Sequence, residues 1–467
     1  MSTPDVQFAE GLTGSSLLYD AMTEARSVDP ALPALPDPKA FRKGLPDLIC
    51  AFEAQRAASV HRVELAKQLS DHVLDHTRLG DRRLVDALDD GVASPLTLVD
   101  GTGTPGWVPS VTYRDETYTG SAIGALAQRM REDHQLTDAA ADALRWVARE
   151  LLGEPVVLTG KRFAVLGAGA ELAPTPYLLA AGAKVLWVDK KLPELVPSAF
   201  AGTLAYAEDA SDLLAHVPSI GAQLARAAAD GPLHVGLFAY APGKGRELRL
   251  TAAMNALADR VEDLASVSMW VSPTTPGEVA PGERDDRHAR RRSAPRWQRA
   301  LCRARMLPEP AFHAAGDVQI ARSIVPLQGP TYLAAQYLGK MMAAEAWAAR
   351  RAPMRVSANV AGITHTASLE HPLFLAGFRG APTFGVEIFR PDQTRVISTL
   401  LMLHDLFNPA APAAEADLAA PERARRVAGQ AVHGGVRSAP FVLDHTIRVA
   451  AMVGLAKEPS LLGKLRG

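Results

Sequence analysis

KRFAVLGAGAELAPTPYLLAAGAKVLWVD, from Lys161 to Asp189, is the stretch whose reading decides the fold. Phe163 to Leu166 is an apolar run too short for a helix and bounded by glycine, the mark of a buried strand. Gly167-Ala168-Gly169 follows, then a helix-like segment to Ala181, a terminating Gly182, and a second apolar run, Val185 to Val188, that ends on Asp189. Strand, glycine turn, helix, strand and terminal acid make the first half of a nucleotide-binding βαβ unit.

Each part has a physical reason. Gly167 can take the backbone angles of a tight turn, and Gly169 lets a pyrophosphate approach without meeting a Cβ. Free N–H groups and the dipole at the helix start favour the anion, and Pro174 and Pro176 lie near that start, where a missing N–H costs least. Asp189 follows Gly169 at roughly the 20-residue interval that sets an acid on the adenosine ribose hydroxyls. Leu172 stands where a third glycine is usual. An S-adenosylmethionine methyltransferase would place GxG and an acid in the same way, so the stretch alone leaves the cofactor open.

A chain of 467 residues has room for two or three domains and an ample core. A net charge of −1 gives no global reason to expect nucleic acid or an anionic membrane as partner. Cys50 and Cys302 are far apart and no CxxC occurs, so neither a disulfide framework nor a zinc site is indicated. No run approaches the ~18 apolar residues of a membrane span, and the polar start has no leader pattern. The expectation is a cytoplasmic protein.

Residues 1 to about 45 read as an irregular arm, and Leu48 to about His76 as one helix. On it His72 and His76, four apart, share a face without a third metal ligand, so no metal site is expected. Leu96–Val99 and Val111–Tyr113 read as short strands around DGTGTPGW, followed by helices from Ser121 and from Thr137, the latter an N-cap. Beyond Asp189 the alternation continues: a strand Leu204–Ala207, a helix capped by Asp212, and a strand His234–Ala239 entering the loop 240–245. A helix Glu247–Leu264 and a strand Val267–Val271 follow. This pattern predicts a doubly wound parallel, Rossmann-like α/β sheet over residues 156–408. A mostly helical region, 1–155, precedes it as a lid or dimerisation module, and a helical extension, 409–467, follows.

Within the α/β part lies a basic insertion near 278–328. Nine arginines face three acids between Glu283 and Arg305. It reads either as a solvated or mobile insertion or as a basic rim attracting an anionic substrate, such as a phosphorylated carrier or coenzyme A. Trp297 is the only aromatic there, which argues against nucleic acid.

YLAAQYLGKMMAAEAWAARRAPMRVSANVAGITHT, residues 332–366, resembles a region of the short-chain dehydrogenase/reductase superfamily. There a helix carrying a catalytic Tyr and Lys leads to a strand, an Ala-Gly or Pro-Gly pair and a Thr four residues after the Gly. The resemblance implies Tyr332 as the catalytic phenol, Ser272 after the fifth strand as the catalytic Ser, and Gly362 and Thr366 at the cofactor. It covers roughly residues 160–370. Here the turn reads GAGAEL, and Gln336 stands where the family has Lys. A neutral amide can hold a ribose but cannot lower a phenol's pKa. Lys340, two helical turns beyond Tyr332, is the nearest replacement.

The expected activity is that of an atypical short-chain dehydrogenase/reductase-like, NAD(P)-dependent oxidoreductase. Its small-molecule substrate would be a carbonyl or enoyl compound, and the chain a homo-oligomer. Ser272 would polarise the substrate oxygen, Tyr332 would exchange the proton, and Gln336 or Lys340 would position cofactor and phenol. Gly167, Gly169 and Asp189 would hold NAD or NADP. Asp189 favours NAD, whereas Lys190 and Lys191 weaken that preference. The alternatives are an S-adenosylmethionine methyltransferase and a non-catalytic dinucleotide-binding protein.

Overall fold

A computed structural model describes residues 4–461 except 195, 242, 244, 310–311, 326–327, 351–353, 370 and 416–417. Part of the expected loop at 240–245 and the end of the C-terminal extension therefore lie outside the described residues.

Seven strands form the central sheet: β1 (Thr97–Asp100), β2 (Arg162–Leu166), β3 (Lys184–Val188), β4 (Thr203–Tyr206), β5 (His234–Leu237), β6 (Ser266–Val271) and β7 (Arg355–Val360). Their spatial order is β7-β6-β5-β2-β3-β4-β1. All neighbours pair in parallel except β1, which lies antiparallel along β4. The chain lays β2, β3 and β4 towards one edge, returns to the other side of β2, and lays β5, β6 and β7 towards the opposite edge. Between β2 and β5 the strand order reverses. In open α/β sheets the crevice outside the carboxyl ends at such a point is where ligands bind.

The strands are apolar on both faces because both are covered. Ala164 and Leu166 of β2 join one core, with the N-terminal helices and the helix Arg246–Arg260. Phe163 and Val165 join the other, with the helices Ile123–Glu132, Asp138–Glu150 and Pro391–Phe407. The mostly helical N-terminal region thus contributes to both faces and supplies strand β1.

Several local expectations are corrected. The presumed irregular arm holds a strand, Val6–Phe8, and a helix, Gly14–Glu24, with a Thr13–Ser16 capping box. Asp37 caps a second helix, Pro38–Ala58, with its proline in the first turn. The single helix expected up to His76 is two, because Ser59 turns extended before Arg62–Asp75 begins. The two strands expected around DGTGTPGW both form, each with its own partner. β1 goes to β4, while Ser110–Tyr113 makes a hairpin with Glu116–Thr119. The helix expected from Asp212 begins at Val217, and the Asp212 carboxylate accepts from Leu214 N–H instead.

The arginine-rich stretch is solvated along most of its length, as Arg284, Arg291, Arg292, Arg296, Arg299, Arg303 and Arg305 are exposed. It forms the helices Pro281–Ser293 and Arg296–Arg303, with Glu283, Arg287 and Gln298 buried. The His72 and His76 rings lie 4.3 Å apart, tilted by 37°; one meets Glu24 and the other the His72 carbonyl. Among the described residues no group of His, Cys, Asp or Glu is arranged to hold a metal, and no helix is long and apolar enough to cross a membrane.

Candidate functional site

Four side chains implied by the sequence meet at the carboxyl end of β6. Ser272 follows that strand directly. Tyr332, Gln336 and Lys340 lie on the helical stretch 329–349, whose middle, Ala335–Met342, is wound as a π-helix. Such wide turns are rare and often mark functional positions. Close packing accompanies the wide turn. Gly339 faces Thr251 so closely that a Cβ would lie 2.4 Å from its methyl group, and the Asn255 amide donates to the Gly339 carbonyl at 2.7 Å.

The Tyr332 phenol is near enough to Ser272 for that hydroxyl to ease the rise in its pKa. Ser272 Oγ also meets Thr274 Oγ1 at 2.9 Å, and Thr274 donates to Gln328 Oε1 at 2.6 Å. Gln336 Oε1 accepts the Ser272 N–H at 3.0 Å, fixing the loop after β6 against the helix.

At the centre stands Glu247, which sequence reasoning missed. Its Oε1 accepts from Gln336 Nε2 at 3.2 Å and lies 3.7 Å from Lys340 Nζ, while Oε2 accepts from Ala241 N–H at 3.1 Å. Lys340 also donates to the Trp270 carbonyl at 3.1 Å. Burial pushes the Glu247 carboxyl up, partly offset by Lys340; burial pushes the Lys340 ammonium down, partly offset by Glu247. Each charge thus supports the other against burial. Burial also pushes the Tyr332 phenol up, and the Glu247 charge adds to it. The charge acting on the phenol is therefore negative, and Lys340 pairs with Glu247. A phenol in this setting is protonated near neutral pH: it can donate a proton, directed by Ser272, but is not activated as a base.

The glycine turn lies two strands away from β6. Gly167 has φ +86°, and a Cβ there would fall 2.2 Å from Ala239 N, so only glycine closes β2 onto β5. Asp189, at the end of β3, accepts the Gly169 N–H at 3.0 Å. The expectation of free amides at a helix start is corrected. Gly167 and Ala168 donate to the Val188 carbonyl and Ala170 to that of Gly167. The short helix Thr175–Ala180 begins well beyond the turn. Lys190 and Lys191 pair with Asp212 and Glu194.

Gly362 and Thr366 follow β7. A Cβ on Gly362 would lie 2.4 Å from the Phe389 ring, which gives this glycine a packing role. Thr366 hydrogen-bonds Tyr240, after β5. Tyr240 meets Glu171 at 3.4 Å, and the Ala367 N–H donates to Glu171 at 3.2 Å. Glu171, Tyr240 and Thr366 thereby tie the loops after β2, β5 and β7 together across the carboxyl edge. Burial, with the Glu171 charge added, pushes the Tyr240 phenol up to about 12.

Comparison with protein-family models, with characterised proteins and with solved structures returns no match for this chain.

Proposed function

We propose that this chain is a Rossmann-like, NAD(P)-dependent oxidoreductase, similar to an atypical short-chain dehydrogenase/reductase, that reduces or oxidises a carbonyl or enoyl substrate. The observation that carries the reading is the placement of Tyr332 near Ser272 after β6, where Gln336 of the same helical stretch holds the Ser272 N–H, in a sheet whose parallel strands run β4-β3-β2-β5-β6-β7. This order is similar to the 3-2-1-4-5-6 order of doubly wound dinucleotide-binding sheets, which supports the reading.

The adenosine end of a dinucleotide suits the residues present. Asp189 offers an acceptor and Gly169 a donor to a ribose diol, in place of their bond to each other. The diphosphate suits them less. The amides of Gly167, Ala168 and Ala170 are bonded within the protein, and Glu171 brings a carboxylate to the same edge. When bound, nicotinamide would supply the hydride. The chain's own part is to orient a substrate oxygen on Ser272 and give it the Tyr332 proton.

The satisfied turn favours a second reading, an S-adenosylmethionine methyltransferase, whose cofactor carries no diphosphate. Melting curves with NADH, NADPH and S-adenosylmethionine decide between them. A ligand at 100 times its Kd stabilises by about 2.7 kcal/mol. A shift with a dinucleotide and none with the adenosyl sulfonium supports the first reading, and the converse overturns it. A dinucleotide shift without turnover on ketones or enoyl thioesters would indicate a non-catalytic binder.

A further inference from the structure

We infer that the buried cluster of Arg287, His433 and Arg437 is a binding site for a small oxyanion, a phosphate or carboxylate group. Arg287 and Glu283 belong to the helix Pro281–Ser293, and His433 and Arg437 to the buried segment leading into the helix Leu443–Lys457. All four side chains belong to residues no more than 4% exposed.

Their unused hydrogen-bonding groups are of one kind. Gly435 N–H donates to His433 Nδ1 at 3.0 Å, which leaves the ring proton on Nε2. Arg287 Nη2 donates to the Arg437 carbonyl at 2.8 Å, and its guanidinium lies 4.4 Å over the Phe312 ring. Among the described residues, His433 Nε2, Arg287 Nε and Nη1, and Arg437 Nε have no hydrogen-bond partner, and one acceptor, Glu283 Oε1, is equally unused. His433 Nε2 and Arg437 Nη1 stand 3.8 and 3.9 Å from that oxygen, too far for a hydrogen bond. Four enclosed donors of these three side chains are thus unused, against one unused oxygen of Glu283.

The charge is as unbalanced as the hydrogen bonding. Arg290, on the same helix, spends its guanidinium on the carbonyls of Gly435 and Phe384 and the Ser438 hydroxyl, with no carboxylate among these partners. Asp286 is engaged by Arg131 and His134 at the partly exposed rim. Glu283 therefore faces more guanidinium charge than it can neutralise. Water could satisfy the donors but would leave the charge; an oxyanion supplies acceptors and countercharge together. Burial holds Arg287 and Arg290 down at about 10, the direction expected of guanidinium groups that lack a full set of counter-ions.

The cluster also borders the loop that begins at Ser272. A Cβ on Gly277 would lie 2.6 Å from Arg437 Nη2, and Thr275 Oγ1 on that loop is another buried, unpartnered hydroxyl. The arginine-rich stretch is then an anion receptor beside the proposed reaction site, although the inference stands whether or not hydride transfer occurs there.

The test uses the full chain dialysed free of phosphate and sulfate. Tm is followed against inorganic phosphate, 4′-phosphopantetheine and sodium chloride at matched ionic strength, and retention of radiolabelled phosphate is measured by equilibrium dialysis. A saturable, phosphate-specific rise in Tm, lost in folded Arg437→Met, is expected, together with retention by the unaltered protein. Tighter binding of the phosphoester assigns the site to the terminal group of a larger substrate; binding no tighter than phosphate assigns it to a free ion. The same response to phosphate and chloride, without retention, overturns the proposal. So does Arg437→Met keeping the whole phosphate-specific rise.

Discussion

The Glu247 carboxylate and the Lys340 ammonium lie 3.7 Å apart in an enclosed space, and the same Glu247 oxygen accepts the amide of Gln336, whose other end holds the Ser272 backbone. One buried pair thereby connects the helix Arg246–Arg260, the π-wound turn and the loop after β6. Removing one member leaves the other charge without its partner in a low-dielectric setting, which costs about 3–5 kcal/mol. Glu247→Gln should lower stability by about that amount in chemical denaturation. It should also lower the Tyr332 phenol's pKa, because the carboxylate that raises it is gone. An ultraviolet titration of tyrosinate that does not differ from the parent would contradict the electrostatic part of this account.

Tyr332→Phe keeps the ring and removes the hydroxyl near Ser272. If Tyr332 is the proton donor, turnover should fall by roughly 10²–10⁴-fold while cofactor affinity holds. Parental turnover in a folded Tyr332→Phe protein would remove Tyr332 from the chemistry.

The sheet was legible because its strands are short apolar runs bounded by glycine or charge, such as Phe163–Leu166 and Val185–Val188, and their alternation with helices is local. Glu247 was not. An acid in a helix's first turn is ordinary, and its role depends on Gln336, 89 residues away. The π turn had no local signature either, since Gly339 closes on Thr251 and Asn255 of another helix. Thr13 was overlooked as a cap because its box is completed by Ser16 in place of Glu or Gln. Most arginines of 283–305 are exposed, as their composition suggested; which one packs inward was not legible, and Arg287 turns inward where Arg291 turns outward.

Arg56 is fully buried and bonds both Glu53 and Glu345, while Tyr337 of the π-wound turn donates to Glu53 at 2.5 Å. Arg62 completes the group with a second bond to Glu345. Arg56→Met should leave two carboxylates undercompensated and cost about 3–5 kcal/mol. Calorimetry showing an unchanged Tm would mean that the network is dispensable.

His234 is packed on Phe163 with its Nδ1 2.8 Å from Ser266 Oγ. Burial, then the charges of Lys161 and Arg355, pull it down to about 4 from an ordinary 6.5. Below 6.5 the unfolded chain takes up a proton that the folded chain refuses until about pH 4. Stability should therefore be complete above pH 6.5 and fall as the pH drops through this window, by up to about 3 kcal/mol. Burial moves His433 in the same direction. Urea midpoints at pH 7 and pH 4.5 should differ less in His234→Phe than in the parent; equal differences would reject the assignment to this ring.

Asp189 is the remaining discriminating position. Its carboxylate spans the glycine turn, accepting Gly169 N–H at 3.0 Å through one oxygen and Lys191 N–H at 3.0 Å through the other. Both bonds are exposed, so Asp189→Ala should cost the free protein only about 1 kcal/mol. A ribose diol replacing the Gly169 bond would lose its only carboxylate acceptor there, so affinity for NADH or S-adenosylmethionine should fall by about tenfold or more, the equivalent of one charge-assisted hydrogen bond of about 1.5–3 kcal/mol. The two cofactors share the adenosine ribose, so this loss tests the turn as an adenosine site without prejudging the chemistry at Tyr332. Unchanged binding by isothermal titration would show that the ribose does not lie at Asp189, and the glycine turn would then be only the joint that closes β2 onto β5.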